Sequence, residues 1–254
     1  MTREAAPTSS IINLVRRTCS DFIELRRGKA FLGEDQLVSG FATLGHRSIG
    51  VLILCKNDHG SNNGVSIPNH KRLNGYQKTQ HLFRLAKKFN RPIVMFTNSP
   101  ASLPGTEMSE PDEALGFAKH VLSQSYLEVP IILVLLSRII SCHIFGAWLA
   151  DKIIALEDAH FLMTIFDQGK VQLIQVEARH LLRQGIIDKT ISESVCGGPA
   201  SQVMMPTPRQ LRIILGEILD EVSRVTPEEL MLRRREKIEK AVARILPHFH
   251  GRLS

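Results

Sequence analysis

Along the 254-residue chain, short unbroken apolar runs alternate with amphipathic stretches. Runs at Ile49 to Cys55, Pro92 to Thr97, Ile131 to Leu136 and Lys152 to Leu156 have the length of buried strands, with Phe161 to Ile165 read as a continuation of the last. Gly75 to Phe89 sets Leu82, Phe83, Leu85, Ala86 and Phe89 on one side of a helix and Lys78, Arg84, Lys87 and Lys88 mostly on the other. Ser109 to Tyr126 predicts another helix, with Ser109 as N-cap and Glu110, Asp112 and Glu113 in the first turn, where the helix dipole favours negative charge. Thr207-Pro208-Arg209-Gln210 and Thr226-Pro227-Glu228-Glu229 each offer a capping Thr, a Pro at the first helical position and a Gln or Glu three residues past the cap. Two C-terminal helices therefore start there. Strands alternating with helices require parallel pairing through crossovers, so the pattern predicts an α/β fold.

Three segments interrupt this rhythm. Asn57 to Asn74 holds Gly60, Gly64, Pro68 and five Asn with hardly any apolar residue, and reads as a long loop of the kind that carries function. Val129 to Ala150 is largely apolar and about the right length to cross a membrane, but Arg138 near its middle and His143 close by make it a buried strand running into a helix. In the last helix Arg233, Arg234, Arg235, Lys237, Lys240 and Arg244 face only Glu236 and Glu239, which reads as a solvated helix face.

Composition narrows the class. With 43% apolar and 22% charged residues, the chain suits one domain over residues 1–254, residues 1–20 forming an N-terminal extension and 207–254 the helical end. The net charge of +7 favours anionic partners without choosing among them. Cys19, Cys55, Cys142 and Cys196 make no CxxC pair, so neither a zinc ribbon nor a redox motif is present, and the thiols read as idle ones of a reducing compartment. Met1 to Ser10 has no apolar stretch beside a basic one, so a cytoplasmic protein is expected, with no membrane partner.

Candidate chemistry is sparse. Ser141, Cys142 and His143 suggest a nucleophile, but sequence neighbours on a helix point in different directions and cannot pair. His120, His160 and His180 lack any ligand spacing, so no metal site is expected, and Asp167 and Asp188 are acids or bases only if the fold brings them into one cleft.

A chain of landmarks in constant order nonetheless resembles one family. Glu24-Leu25, Ala30-Phe31, Leu37-Val38-Ser39-Gly40 and Ala42, then Lys56, Gly75-Tyr76, Ala86-Lys87-Lys88-Phe89 and Arg91-Pro92-Ile93 are matched in turn. Ser99-Pro100-Ala101-Ser102-Leu103-Pro104-Gly105, Leu127-Glu128-Val129-Pro130, Asp151-Lys152, Gly185-Ile186-Ile187-Asp188 with Ile191 and Gly197-Gly198, and Thr226 to Leu230 with Arg233-Arg234 continue the series. From about Asp21 to Arg234 the chain resembles the alpha subunit of the acetyl-CoA carboxylase carboxyltransferase. The resemblance implies a crotonase-like (ClpP/crotonase) fold of stacked ββα units with C-terminal helices, its strand Ile131 to Leu136 feeding a turn at Ser137 to Ile140 and a helix from about Ser141 to Leu149.

What it implies about chemistry is transfer of carboxylate from carboxybiotin to acetyl-CoA, forming malonyl-CoA. The implied partners are a beta-type subunit, a biotin carboxyl carrier protein and acyl-CoA; no cofactor is expected to be bound covalently, and nucleic acid is not expected. In that family a GEGGSGG turn lets two backbone amides approach the ureido oxygen of carboxybiotin; here the same positions are Ser137-Arg138-Ile139-Ile140-Ser141-Cys142-His143. β-branched Ile139 and Ile140 are expected to block or reshape that slot. The resemblance assigns the oxyanion turn to the amides of Ile139 and Ile140 with His143 beside them, and substrate contacts to Lys56, Ala101 and Ser102. The family's loop SPEGCASILW is shortened to Phe166-Asp167-Gln168-Gly169. Three functions follow: a diverged carboxyltransferase alpha subunit, inactive alone; a degenerate structural or regulatory homologue that binds the beta-type partner; or a repurposed crotonase-type acyl-thioester enzyme using Cys142, His143 and Asp167.

Overall fold

The computed structural model describes residues 8–25, 37–54, 69–97, 119, 121–141, 149–167, 170–196 and 203–245. Seven strands form the main sheet: β1 (Ser20–Glu24), β2 (Leu37–Leu44), β3 (Arg47–Leu54), β4 (Ile93–Thr97), β5 (Ile131–Leu135), β7 (Lys152–Leu156) and β10 (Lys189–Ile191), in that spatial order. The first three pair antiparallel; from β3 onward every pairing is parallel. This division follows from the connections. β2 and β3 are joined by the two residues Gly45 and His46, and Gly45 takes φ +61°, which such a tight reversal requires and glycine supplies without strain. β3 to β4 is instead bridged by a segment containing α2 (Asn69–Lys88), long enough for a crossover.

A second sheet of three strands, β6 (Ile139–Ser141), β8 (His160–Asp167) and β9 (Lys170–Glu177), stands apart from the first. α3 (Ala178–Arg183) leads from β9 back to β10. β11 (Ser194–Cys196) and β12 (Val203–Met205) form a small hairpin before α4 (Pro208–Val222) and α5 (Pro227–Ile245). β4 and β5 are buried along their whole length, as apolar strands covered on both faces must be.

The C-terminal caps form as their sequence predicts. The Thr207 hydroxyl accepts the Gln210 N–H, and the Gln210 side chain in turn accepts the Thr207 N–H. Thr226 likewise accepts the Glu229 N–H at 3.3 Å. α1 (Thr8–Thr18) buries Ile11, Leu14 and Val15 in the core, so this part of the expected N-terminal extension is packed structure. Arg212 of α4 donates to the carbonyls of Arg17 and Thr18, satisfying the orphan acceptors and the negative dipole end of α1.

Four expectations are corrected. Lys152–Leu156 and His160–Asp167 are not one strand: a turn at Glu157 to Ala159 sends them into different sheets. Asn69 to Asn74, expected as the end of a loop, opens α2; the rest of that loop lies outside the described residues. Phe89 is 54% exposed rather than on the buried face of α2, because the helix has ended and Asn90 turns the chain with φ +49°. Ile139 to Ser141 is a strand rather than part of a turn and the start of a helix, since its backbone pairs in parallel with His160 to Leu162.

Candidate functional site at the carboxyl ends of the parallel strands

Open sheets with parallel strands bind ligands outside the carboxyl ends of those strands, where the chain changes direction. β5 ends at such a place. The Leu136 N–H still donates to the Thr97 carbonyl of β4 at 2.7 Å, but Ser137 and Arg138 then leave the main sheet and Ile139 enters the second one. The His160 N–H donates to the Arg138 carbonyl at 2.7 Å, and Ile139 lies opposite His160. Together these set the phase of the parallel ladder: the amide and carbonyl of Ile140 turn towards β8, and those of Ile139 turn away. The Ile140 side chain is 3% exposed and belongs to the core with Phe161, its partner across the ladder.

The expected obstruction by Ile140 is therefore corrected. Its side chain fills core instead of a ligand slot, and its N–H is committed to the sheet. A cradle of two adjacent ligand-facing amides does not fit this arrangement. The hand-off provides a guanidinium instead. Arg138 Nε and Nη2 donate to Glu193 Oε2 at 2.9 and 2.5 Å, the Arg138 side chain being 34% exposed and that of Glu193 7%. Glu193 lies in the short link between β10 and β11, so three segments meet here. The signal was present in the sequence as a lone Arg inside an apolar run, but its partner is 55 residues away.

A second charged cluster occupies the opposite end of the sheet. Asp151, just before β7, accepts the N–H of Ile131, the first residue of β5, at 2.6 Å. Asp188, just before β10, does the same for Ile153 of β7 at 2.8 Å. Both aspartates thus close the amino end of the neighbouring strand. Arg234 of α5, 1% exposed, grips Asp151 with Nε and Nη2 at 2.7 and 2.6 Å and donates to the carbonyls of Gln124, Leu127 and Val129. Lys237, one turn on, reaches Asp188 and the Ala150 carbonyl, and Lys152 bridges Asp188 and Glu221.

Burial pushes the Asp151 carboxyl up, against the bonds from Arg234 and Ile131 that favour its charge. Burial also pushes the Lys237 amine down, opposed by Asp188. For Lys152 burial works against the charge too, but Glu221 and Asp188 outweigh it and the amine is raised. The expected solvated face of α5 is corrected accordingly: Arg233 and Arg235 are exposed, whereas Arg234 and Lys237 turn inward, on the same side as buried Leu230. The adjoining cavity of about 50 Å³ has room for a water or two, and the cluster holds the sheet to α5.

Lys56, Ala101, Ser102, Cys142 and His143 lie outside the described residues. Asp167 ends β8 of the three-stranded sheet, whereas Asp188 caps the amino end of β7 in the main sheet. Of the expected shortened loop, Phe166 and Asp167 are the last residues of β8, paired antiparallel with Val171 and Lys170 of β9, and Gln168 and Gly169 lie outside the described residues. Among the described residues, no group of three or more His, Cys, Asp and Glu is placed to hold a metal ion. None of the described helices is long and apolar enough to cross a membrane.

Comparisons with known proteins agree with this architecture. The acetyl-coenzyme A carboxylase carboxyl transferase subunit alpha of Exiguobacterium sibiricum is 29% identical over 247 residues, covering 89% of this chain and 76% of that protein. The same subunit of Gemmatimonas aurantiaca is 27% identical over 242 residues, covering 88% and 74%. Transcarboxylase 12S, in a crystal structure with methylmalonyl-coenzyme A and methylmalonic acid bound, matches with a TM-score of 0.56 at 16% identity, over 87% of this chain and 43% of that one. The beta subunit of P. aeruginosa geranyl-CoA carboxylase matches with a TM-score of 0.55 at 15% identity, over 82% and 41%. The chain spans less than half of each of these solved chains, and likeness at such identity establishes the fold, which is crotonase-like. The model of the family described as acetyl co-enzyme A carboxylase carboxyltransferase-like matches residues 3–242, nearly the whole chain, and the chain belongs to that family.

Proposed function

We propose that this chain is a diverged alpha-type subunit of a biotin-dependent carboxyltransferase, which with a beta-type partner moves a carboxyl group from carboxybiotin on a carrier protein to acetyl-CoA, giving malonyl-CoA. The observation that carries this reading is the family match over residues 3–242, because it spans every strand of the main sheet and the Asp151–Arg234 and Asp188 clasps that hold it. Those clasps join residues that stand far apart in sequence and stand at landmark positions of the resemblance. In this reading the carboxyl end of β5 carries the chemistry, with Ile139 contributing the amide of the Ile139–Ile140 pair that turns away from β8 and with Lys56, Ala101 and Ser102 as substrate contacts. The beta-type subunit supplies the acyl-CoA site, and the chain alone is inactive.

One observation favours a second reading, a partner-binding homologue without catalysis: the Ile140 amide and side chain are both used by the fold. Removing one oxyanion donor costs on the order of a hundred- to a thousandfold in rate in enzymes that depend on a pair. The two readings separate in one experiment. The chain is co-purified with a beta-type subunit and assayed for malonyl-CoA formation from acetyl-CoA and carboxybiotin. Turnover that needs both chains supports the first; a stable complex without turnover supports the second; absence of any complex removes both.

A further inference from the structure

Position 138 is where the chain differs most in charge from the turn it resembles: GEGGSGG carries a carboxylate there and this chain a guanidinium. The side chain is built in. Glu193, 7% exposed, takes both the Nε and Nη2 donors on one oxygen and so fixes the guanidinium plane along one edge. Of the five N–H donors, two are used by Glu193, and among the described residues the end formed by Nη1 and the second Nη2 hydrogen has no partner, on a side chain 34% exposed. That end is a planar fork whose spacing matches the two oxygens of a carboxylate. It stands at the carboxyl end of β5, where the chain passes from one sheet to the other and where the two-amide cradle does not form.

We infer that Arg138 binds the free carboxylate of a malonyl-type acyl-CoA at the carboxyl end of β5, with Glu193 as the positioning residue that sets the guanidinium plane. This rests on the carboxyltransferase reading, under which a carboxylate must be held at the junction with the acyl-CoA partner. Acetyl-CoA lacks that group, so Arg138 discriminates between the product and its precursor and contributes little to holding the CoA moiety.

The experiment measures equilibrium binding of malonyl-CoA and of acetyl-CoA to the chain assembled with a beta-type subunit, since the two ligands differ by the one carboxylate. Arg138→Met with Glu193→Gln removes both charges together and leaves no nearly buried carboxylate unpaired. In this variant malonyl-CoA affinity falls on the order of ten- to a hundredfold, the loss expected for a charge-assisted bidentate contact, and acetyl-CoA affinity is unchanged. Arg138→Lys, which keeps the charge and loses the fork, restores part of the malonyl-CoA affinity. Equal loss for both ligands, or no loss for either, overturns the inference. Malonyl-CoA formation by the unaltered assembly is measured alongside. Turnover there with no effect of the variants on malonyl-CoA binding removes the role of Arg138 alone, whereas an unaltered assembly that neither turns over nor binds malonyl-CoA removes the carboxyltransferase reading as well.

Discussion

Arg234→Met tests whether the buried clasp at the amino ends of β5 and β7 holds the fold. The guanidinium makes five hydrogen bonds: two to the Asp151 carboxylate and one each to the carbonyls of Gln124, Leu127 and Val129. Met retains most of the stem volume but none of the donors. Asp151, whose side chain is 5% exposed, is then left with the Ile131 N–H, and three carbonyls lose a partner. Removing one member of a buried ion pair costs about 3 to 5 kcal/mol, because the remaining charge is uncompensated. Against a typical total of about 5 to 15 kcal/mol that is a large fraction of the stability, equivalent for a chain of this size to a fall of roughly 6 to 20 °C in Tm. Urea denaturation followed by circular dichroism, with the m-value checked for constancy, measures the loss. Asp151→Asn combined with Arg234→Met removes the uncompensated charge, so the double variant is more stable than the sum of the two single losses predicts. A loss below about 1 kcal/mol for Arg234→Met, or losses that simply add in the double variant, would refute the clasp.

Other perturbations address separate parts of the fold. Ile140→Ala costs about 2 to 5 kcal/mol in urea denaturation, because the side chain lies in the core beside Phe161; a loss below about 1 kcal/mol would mean that it faces an open slot after all. Gly40→Ala is destabilising by about 1 to 3 kcal/mol or more, since a Cβ at Gly40 would clash with the Ile23 carbonyl oxygen, and thermal unfolding reads the shift. Lys237 has its amine lowered by burial, so between its folded pKa and the ordinary value of 10.5 the unfolded chain binds more protons and stability from this group rises with pH. Lys237→Met removes that rise, and the difference between the two stability profiles, measured by denaturation from pH 8 towards pH 10.5, should grow with pH. Burial pushes the Cys19 thiol up to about 11, so iodoacetamide at pH 8 leaves it unmodified in the folded chain and labels it after unfolding, as read by peptide mass.

The parts legible in the sequence are those decided by neighbours along the chain. Apolar runs of strand length at Ile93–Thr97 and Ile131–Leu135 needed no tertiary knowledge, because a stretch apolar on both faces has to be covered on both. Thr207 and Thr226 announced their helices because the cap, the following proline and the Gln or Glu past them act within one turn. The family landmarks were legible too, although what several of them do was not. Asp151, Asp188 and Arg234 stood in the resemblance as bare matches, and the structure shows them tying strand ends to α5.

What only the tertiary structure decided are relations between distant residues. Apolar character alone does not separate β7 from β8, since the turn between them changes sheets and not composition. Six closely spaced basic residues near the end of the chain read as a solvated surface, because nothing local says that Arg234, 83 residues from Asp151, points inward while its neighbours do not. Glycine replaced by isoleucine at 139 and 140 looked like obstruction when read one residue at a time. Pairing with β8 assigns Ile140 to the core and turns its amide into the sheet, and it leaves the half-buried Arg138 just past the carboxyl end of β5, held by a carboxylate 55 residues on. The sequence by itself determined the main buried strands, the caps of the two C-terminal helices and the family, which depend on short-range patterns. Sheet membership, burial of charge and the donors available to a ligand were decided by tertiary structure, because each depends on which strand lies alongside.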